Sequence, residues 1–261
     1  MSYNWENKKE RAQIAYNHTR EMEERFHNEI LNSINNSIIY TNEVVINPIV
    51  LSTNHCRISL LDMDSVSAII NDYDPNIKTA VLNFASYKEP GGMFLQGSRA
   101  QEECLCHESF LYNVLNNFRL EYYDWNNYNK NRGLYKNRAI YSPDIIFERG
   151  NNIAKCDVIT CAAPNKNTAM KYQGVSEEVN NIELYSRIKF ILDIASDKKV
   201  KRLILGAFGC GVFGQDPYIV AKYFKELLYD GYMYNFTEII FAIPNTGRDI
   251  NYDTFMGVIY H

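Results

Sequence analysis

The sequence predicts an α/β fold, a mostly parallel or mixed sheet flanked by helices on both faces. Two observations predict it. Strand-like apolar runs alternate with stretches of helical periodicity, and two glycine-rich turns each lead from an apolar run into a helix. The 261 residues show no internal repeat and no linker, so one domain over 1–261 is expected. A chain of that length buries roughly 70–75% of its unfolded surface on folding.

The elements follow in order. Ile14, Ala15, Met22, Phe26, Ile30 and Leu31 recur at roughly helical spacing and predict a helix over 5–35. Short strand-like runs come next at 50–52 and 57–61, then a short helix after Asp64 and a buried strand over 79–85. A helix is expected over 99–118, started by the capping-box pair Ser98 and Gln101, and then an irregular surface insertion, Tyr- and Asn-rich, over 120–137. Strand signals return at 139–148 and 156–163. A helix over 176–196, a strand over 200–205, a glycine-rich turn at 206–214, a helix over 216–228 and a strand over 238–243 complete the series.

Composition excludes several function classes. The formal net charge of −4 argues against a protein built to grip nucleic-acid backbone, and no sequence-specific nucleic-acid binding is expected. No run approaches the roughly 20 apolar residues of a membrane span, and the N-terminal residues lack the apolar core of a secretory signal. The six cysteines are irregularly spaced with no Cys-x-x-Cys, and Cys156 and Cys161 read as core thiols. A reduced, cytoplasmic chain is expected, with a nuclear location open if the source is eukaryotic. Cys104, Cys106 and His107 share no helix face well enough to bind a metal.

Chemistry concentrates at 90–103, where Pro90-Gly91-Gly92 runs into Gln101-Glu102-Glu103. Glycines let backbone approach a ligand closely. Glu103 precedes Cys106 by three residues and Phe110 by seven, so it projects from the helix's buried face, while Glu102 is turned about 100° away. Burial raises a carboxyl pKa and suits a general acid; the helix N-terminus favours the anion, and sequence leaves that balance open. The plainer reading is two acids in a first helical turn. The second cluster, Gly206 to Gly214, lies where a strand leads into a helix, a place that either binds phosphate or is only a tight connection. Two such turns at strand ends in one chain favour a ligand. Together they suggest a site that holds a phosphate-bearing sugar and breaks one of its bonds.

These residues resemble the poly(ADP-ribose) glycohydrolases of the bacterial or microbial type, which have the macrodomain fold. The family signature is a triple glycine, six to eight residues, then Gln-Glu-Glu; here Gly91-Gly92-Met93 is followed by seven residues and Gln101-Glu102-Glu103. Further segments match in family order: Asn83-Phe84-Ala85-Ser86, Tyr141-Ser142-Pro143, Thr160 to Asn165 and Gly206 to Phe213. The N-terminal helix, with Arg11, Ala15 and Thr19, is similar too, and residues 1–45 are expected to form a helical extension packed on a macrodomain-like catalytic domain.

The resemblance implies hydrolysis of ribose–ribose O-glycosidic bonds in poly(ADP-ribose), with release of ADP-ribose. Glu103 would protonate the leaving ribose oxygen and then activate water, and Glu102 would orient the substrate through ribose hydroxyls. Asn83, Gly91, Gly92 and Gln101 would belong to the ribose side. The backbone of Gly209, Cys210, Gly211 and Val212 would carry the diphosphate, and Phe213 would pack on the distal ribose. Asp64 stands where many macrodomains hold an adenine-binding acid, and the reading of it as a helix N-cap is equally open. Asn245, with Phe241 and Ile243, could flank the base, although core packing suits the latter two better. No metal or other cofactor is implied. The expected partner is ADP-ribose or its polymer on modified proteins, and a monomer is expected. Met93, in place of the third glycine, is the departure: a positive φ there would force the loop to rearrange. Two alternatives stand beside the hydrolase, a non-catalytic ADP-ribose reader and a mono-ADP-ribosyl hydrolase acting on modified protein or nucleic acid.

Overall fold

The computed structural model describes residues 8–49, 56–231, 234–247 and 250–261; residues 5–7 of the expected first helix and the strand-like run 50–52 lie outside them. In chain order the elements are α1 (Lys8–Asn36), β1 (Ile38–Thr41), β2 (Arg57–Leu61), α2 (Ser65–Asn71), β3 (Thr79–Phe84), α3 (Gln101–His107), α4 (Leu111–Leu115) and α5 (Trp125–Tyr128). They continue with β4 (Arg138–Arg149), β5 (Asn152–Cys161), α6 (Lys166–Gln173), α7 (Glu177–Asp197), β6 (Arg202–Leu205), α8 (Pro217–Lys225), β7 (Glu238–Ala242) and α9 (Asn251–Tyr260).

The strands form a seven-stranded mixed sheet in the order β1-β4-β5-β3-β6-β7-β2. β1, β4 and β5 pair antiparallel, and every other pairing is parallel. The five strands β5, β3, β6, β7 and β2 therefore bring their carboxyl ends, and the loops that follow them, to one edge of the sheet. Alternation along the strands divides the core in two. Leu82, Leu203, Leu205 and Phe241 point to one face, beneath α7, α8 and α9. Val81, Ile204 and Ile240 point to the other, where Ala15, Met22 and Ile30 of α1 join Leu105, Leu111 and Val114.

Three local expectations are corrected. The helix expected over 99–118 is broken in two, because backbone at 108–109 turns aside to β4: Glu148 N–H donates to Glu108 O at 2.8 Å, and Ser109 bridges Phe147. Its N-cap is Ala100, not Ser98; the Glu103 carboxylate accepts from the Ala100 N–H at 2.9 Å, which is half of a capping box. The stretch 120–137 is not wholly a surface insertion. A π-helical turn at Arg119–Asp124 drives Tyr122 and Tyr123 fully into the core, edge to face at 4.9 Å, while Leu120 and Tyr128 remain exposed. Periodicity also passed over the edge strand β1 and the helices α6 and α9. Cys156 and Cys161 are buried, and all six cysteines are free. No helix among the described residues is long and apolar enough to cross a membrane.

Candidate active site

The site is built on the end of β3 and the start of α3. Gln101 fastens the two: its Nε2 donates to Leu82 O at 2.9 Å and to Ser65 Oγ at 3.1 Å, and its Oε1 accepts from Phe84 N–H at 2.9 Å. That anchorage points the next two side chains back at the loop between β3 and α3. Glu102 is 3% exposed and Glu103 6%. The structure thus buries both acids, where helical spacing alone had turned Glu102 away.

Main-chain amides hold them. Glu102 Oε2 accepts from Ser86 N–H at 2.7 Å, and its Oε1 from Asn83 Nδ2 at 3.2 Å. Glu103 Oε1 accepts from Met93 N–H at 2.8 Å, and its Oε2 from Ala100 N–H at 2.9 Å. Burial pushes the Glu102 carboxyl up to about 8; the Ser86 and Asn83 donors work against the shift, and the neighbouring Glu103 adds to it. Asn83 is itself fully buried and shares its Nδ2 with Thr160 Oγ1 at 3.3 Å, leaving its Oδ1 without a donor.

Gly92 explains the glycine. At φ +61°, a Cβ built on it would stand 2.6 Å from Glu103 Oε1 and 2.9 Å from Glu102 Oε2. Both carboxylates therefore border the same point above the backbone, and only hydrogen fits there. Gly91, at φ +63°, is hemmed by Tyr112 and Cys106. Met93 needs no such freedom: its φ is −104° and the residue is 49% exposed, so this position of the loop accommodates a side chain.

The second glycine turn follows β6, the parallel neighbour of β3, and so stands beside the acids. Phe84 and Phe208, at the bases of the two loops, meet edge to face at 5.8 Å. Gly209 has φ +77°, and a Cβ there would lie 2.8 Å from Ala163 Cβ. Within the described residues, the N–H groups of Gly209, Gly211, Val212 and Phe213 donate to no protein acceptor. Asn167 instead ties down the outward carbonyls: its Nδ2 donates to Val212 O and its N–H to Phe213 O, both at 3.1 Å. Gln215, paired with Asn180 and Pro164 O, buries the loop's exit. Sequence reading missed Asn167, Asn180 and Gln215, which carry no motif. The result is four uncommitted backbone donors in one turn, a grouping suited to an anion.

Asp64 and Asn245 lie at the same edge, after β2 and β7. Asp64 caps α2 through Ser67 N–H at 2.8 Å, and both its oxygens also meet Arg149. Although burial opposes the charge, Arg149 and Ser67 hold Asp64 below the ordinary carboxylate range. Asn245 donates its N–H to Asp62 Oδ1 at 2.6 Å and is exposed. β3 and β2 are three strand spacings apart, about 14 Å, so the predicted residues line an extended edge. A separate cleft of about 730 Å³ between α7 and α8, lined by Glu178, Tyr185 and Tyr223, includes neither acid.

Known proteins match this arrangement. A family profile for the microbial-type PARG catalytic domain matches residues 7–150. Among solved structures, poly(ADP-ribose) glycohydrolase from Thermomonospora curvata is 27% identical, with a TM-score of 0.82 over 95% of this chain and 98% of that one. The same enzyme bound to the inhibitor ADP-HPD gives 27% identity and a TM-score of 0.80, again over 95% and 98%. Poly(ADP-ribose) glycohydrolase from Deinococcus radiodurans in complex with ADP-ribose is 25% identical, with a TM-score of 0.78 over 88% of this chain and 97% of that one. No curated protein sequence matches. The fold, the two glycine turns and these matches agree with the resemblance read from Gly91 to Glu103: the chain belongs to the family of microbial-type PARG catalytic domains.

Proposed function

We propose that the chain hydrolyses the ribose–ribose O-glycosidic bonds of poly(ADP-ribose) and releases ADP-ribose. The observation that carries this reading is the pair of buried carboxylates meeting over Gly92, beside the uncommitted amides of Gly209, Gly211, Val212 and Phe213 in the loop that follows the adjacent strand. The free amides take the diphosphate, Phe213 packs on the distal ribose, and Asn83 with Gly91 and Gly92 borders the ribose whose bond is cut. Glu103 protonates the leaving ribose oxygen as the C–O bond breaks. The resulting carboxylate takes a proton from water as its oxygen bonds to the oxocarbenium-like carbon. Glu102, largely protonated at neutral pH, can donate to a ribose oxygen as well as accept, which suits orienting the sugar. Asp64 and Asn245 lie on the adenine side, and Gln101 holds the acid-bearing helix in place.

One observation favours a second assignment within the same reaction: burial pushes the Glu102 carboxyl up to about 8, so the transferred proton can originate there. The reader alternative loses the support that Met93 lent it, since that side chain points to solvent. We place residues 1–261 in a single catalytic domain, a cytoplasmic monomer acting on ADP-ribose chains of modified proteins. The small net charge of −4 supports a small-molecule or protein-borne substrate over nucleic-acid backbone.

Incubation with poly(ADP-ribose) and, separately, with mono-ADP-ribosylated protein tests the reading. Release of ADP-ribose from the polymer is expected, with Glu103→Gln slower by about 10²- to 10⁴-fold. Binding without turnover of either substrate would establish a reader instead. Turnover of the mono-ADP-ribosylated protein alone would establish the mono-hydrolase.

A further inference from the structure

The turn that carries the Ser86 amide is clasped from outside the two glycine loops. Ser86 Oγ accepts from Lys88 N–H at 3.4 Å and Glu89 N–H at 3.2 Å, closing a short turn with Tyr87 at its tip. The Tyr87 ring lies flat on Tyr135, with centroids 4.3 Å apart and planes at 21°. Tyr135 in turn reaches Phe213 of the second glycine loop at 6.1 Å. Stacked rings attract each other beyond the area they bury, which biases so short a turn toward one arrangement.

Tyr135 is an unusual anchor. It has φ +58°, and Asn131 and Arg132 nearby are also positive, a costly run that persists only when surrounding contacts over-determine it. Asn131 Nδ2 donates to Tyr135 O at 3.0 Å, and the backbone around it is gripped by Arg187 of α7, fully buried. Its guanidinium donates to Leu134 O at 3.3 Å, to Asn137 Oδ1 at 2.7 Å and to Ala162 O at the end of β5. A chain of contacts therefore runs from the buried guanidinium, through the backbone beside Tyr135 and the two stacked rings, to the amide that holds the acid.

We infer that Tyr87, braced by Tyr135, is a positioning residue for Glu102: its stacked ring fixes the turn at 86–89 and so keeps the Ser86 N–H on the carboxyl. The inference rests on the glycohydrolase reading for its kinetic consequence and on geometry alone for its structural one. The titratable groups facing Glu102 are Glu103 on the same helix, Cys106, and Tyr122 and Tyr123. Losing an amide donor disfavours the anion, so the apparent pKa of Glu102 rises when the turn is freed.

The test compares Tyr87→Phe, which keeps the stack, with Tyr87→Ala, which removes it. Two measurements are made: kcat and KM on poly(ADP-ribose) across pH, and hydrogen exchange at the Ser86 amide. Tyr87→Phe is expected to match the parent within about twofold. Tyr87→Ala is expected to lower kcat by about 10- to 100-fold, as small misplacements do, with KM little changed. The Glu102 limb of the pH profile moves to higher pH, and Ser86 exchanges faster. Unchanged kcat, pH limb and exchange in Tyr87→Ala, or equal impairment in Tyr87→Phe, would overturn the inference. If Tyr87→Ala does not fold, Tyr87→Leu takes its place under the same readings. If the parent protein releases no ADP-ribose, the glycohydrolase reading fails, and Ser86 exchange alone decides the inference.

Discussion

Glu102 sits fully buried beside another carboxyl, and that environment reaches beyond the reaction to stability. Its ionisation is raised from an ordinary 4.5 to about 8, first by burial. Between those values the folded chain holds a proton that the unfolded chain has lost, so stability falls as pH rises from about 4.5 to 8 and then levels. Glu102→Gln removes that slope, and thermal melts across pH are expected to show a flatter profile with a relative gain in alkaline buffer. Adjacent backbone positions make a contrasting pair. Gly92→Ala strains a positive φ and strikes both carboxylates, so a stability loss of about 1–3 kcal/mol is expected, together with loss of ADP-ribose release. Met93→Gly changes a solvent-facing side chain at an ordinary φ. Activity should persist, with at most about 1 kcal/mol lost to added unfolded-chain freedom.

At the scale of elements, the two glycine turns differ in what their glycines answer to. Gly209 is needed by the protein itself, since Ala163 and Gln215 leave no room for a Cβ. Gly211 has an unremarkable φ and nothing within 4 Å, so the fold gives no reason for a glycine there. If its backbone meets the diphosphate, Gly211→Ala should leave the melting temperature unchanged while weakening ADP-ribose binding measurably by calorimetry. An unaltered affinity would move the phosphates elsewhere. The sequence showed both turns because glycine is visible by type. It did not show the broken helix after 107, because Cys106, Phe110 and Val114 keep one stripe whether or not the axis bends. Nor could residue type alone show that Tyr122 and Tyr123 turn inward; that depends on a π-helical turn.

Over the whole molecule, strand alternation with helices was legible because β3, β6 and β7 are dense apolar runs bounded by turn residues. The edge strand β1, four residues long, was hidden behind a helix whose signal dominates that region. The pairing of loops at one sheet edge followed from topology once the parallel order was known, and Arg187, on the buried face of α7, had no signal at all. α1 is the part of the molecule most exposed to test. Its Met22, 3% exposed, fills the core on the face that carries α3 and α4. Met22→Ala is expected to cost about 2–5 kcal/mol in denaturant melts, with ADP-ribose affinity intact in the remaining folded protein.

Three peptide N–H groups, those of Ser86, Met93 and Ala100, do most of the aiming of the two acids, with a single side-chain amide assisting. Such a donor is present whatever residue carries it, proline alone excepted. The segment between β3 and α3 can therefore drift in composition, as the methionine at 93 illustrates, provided its trace, the ring at 87 and the glycines at 91, 92 and 97 are preserved.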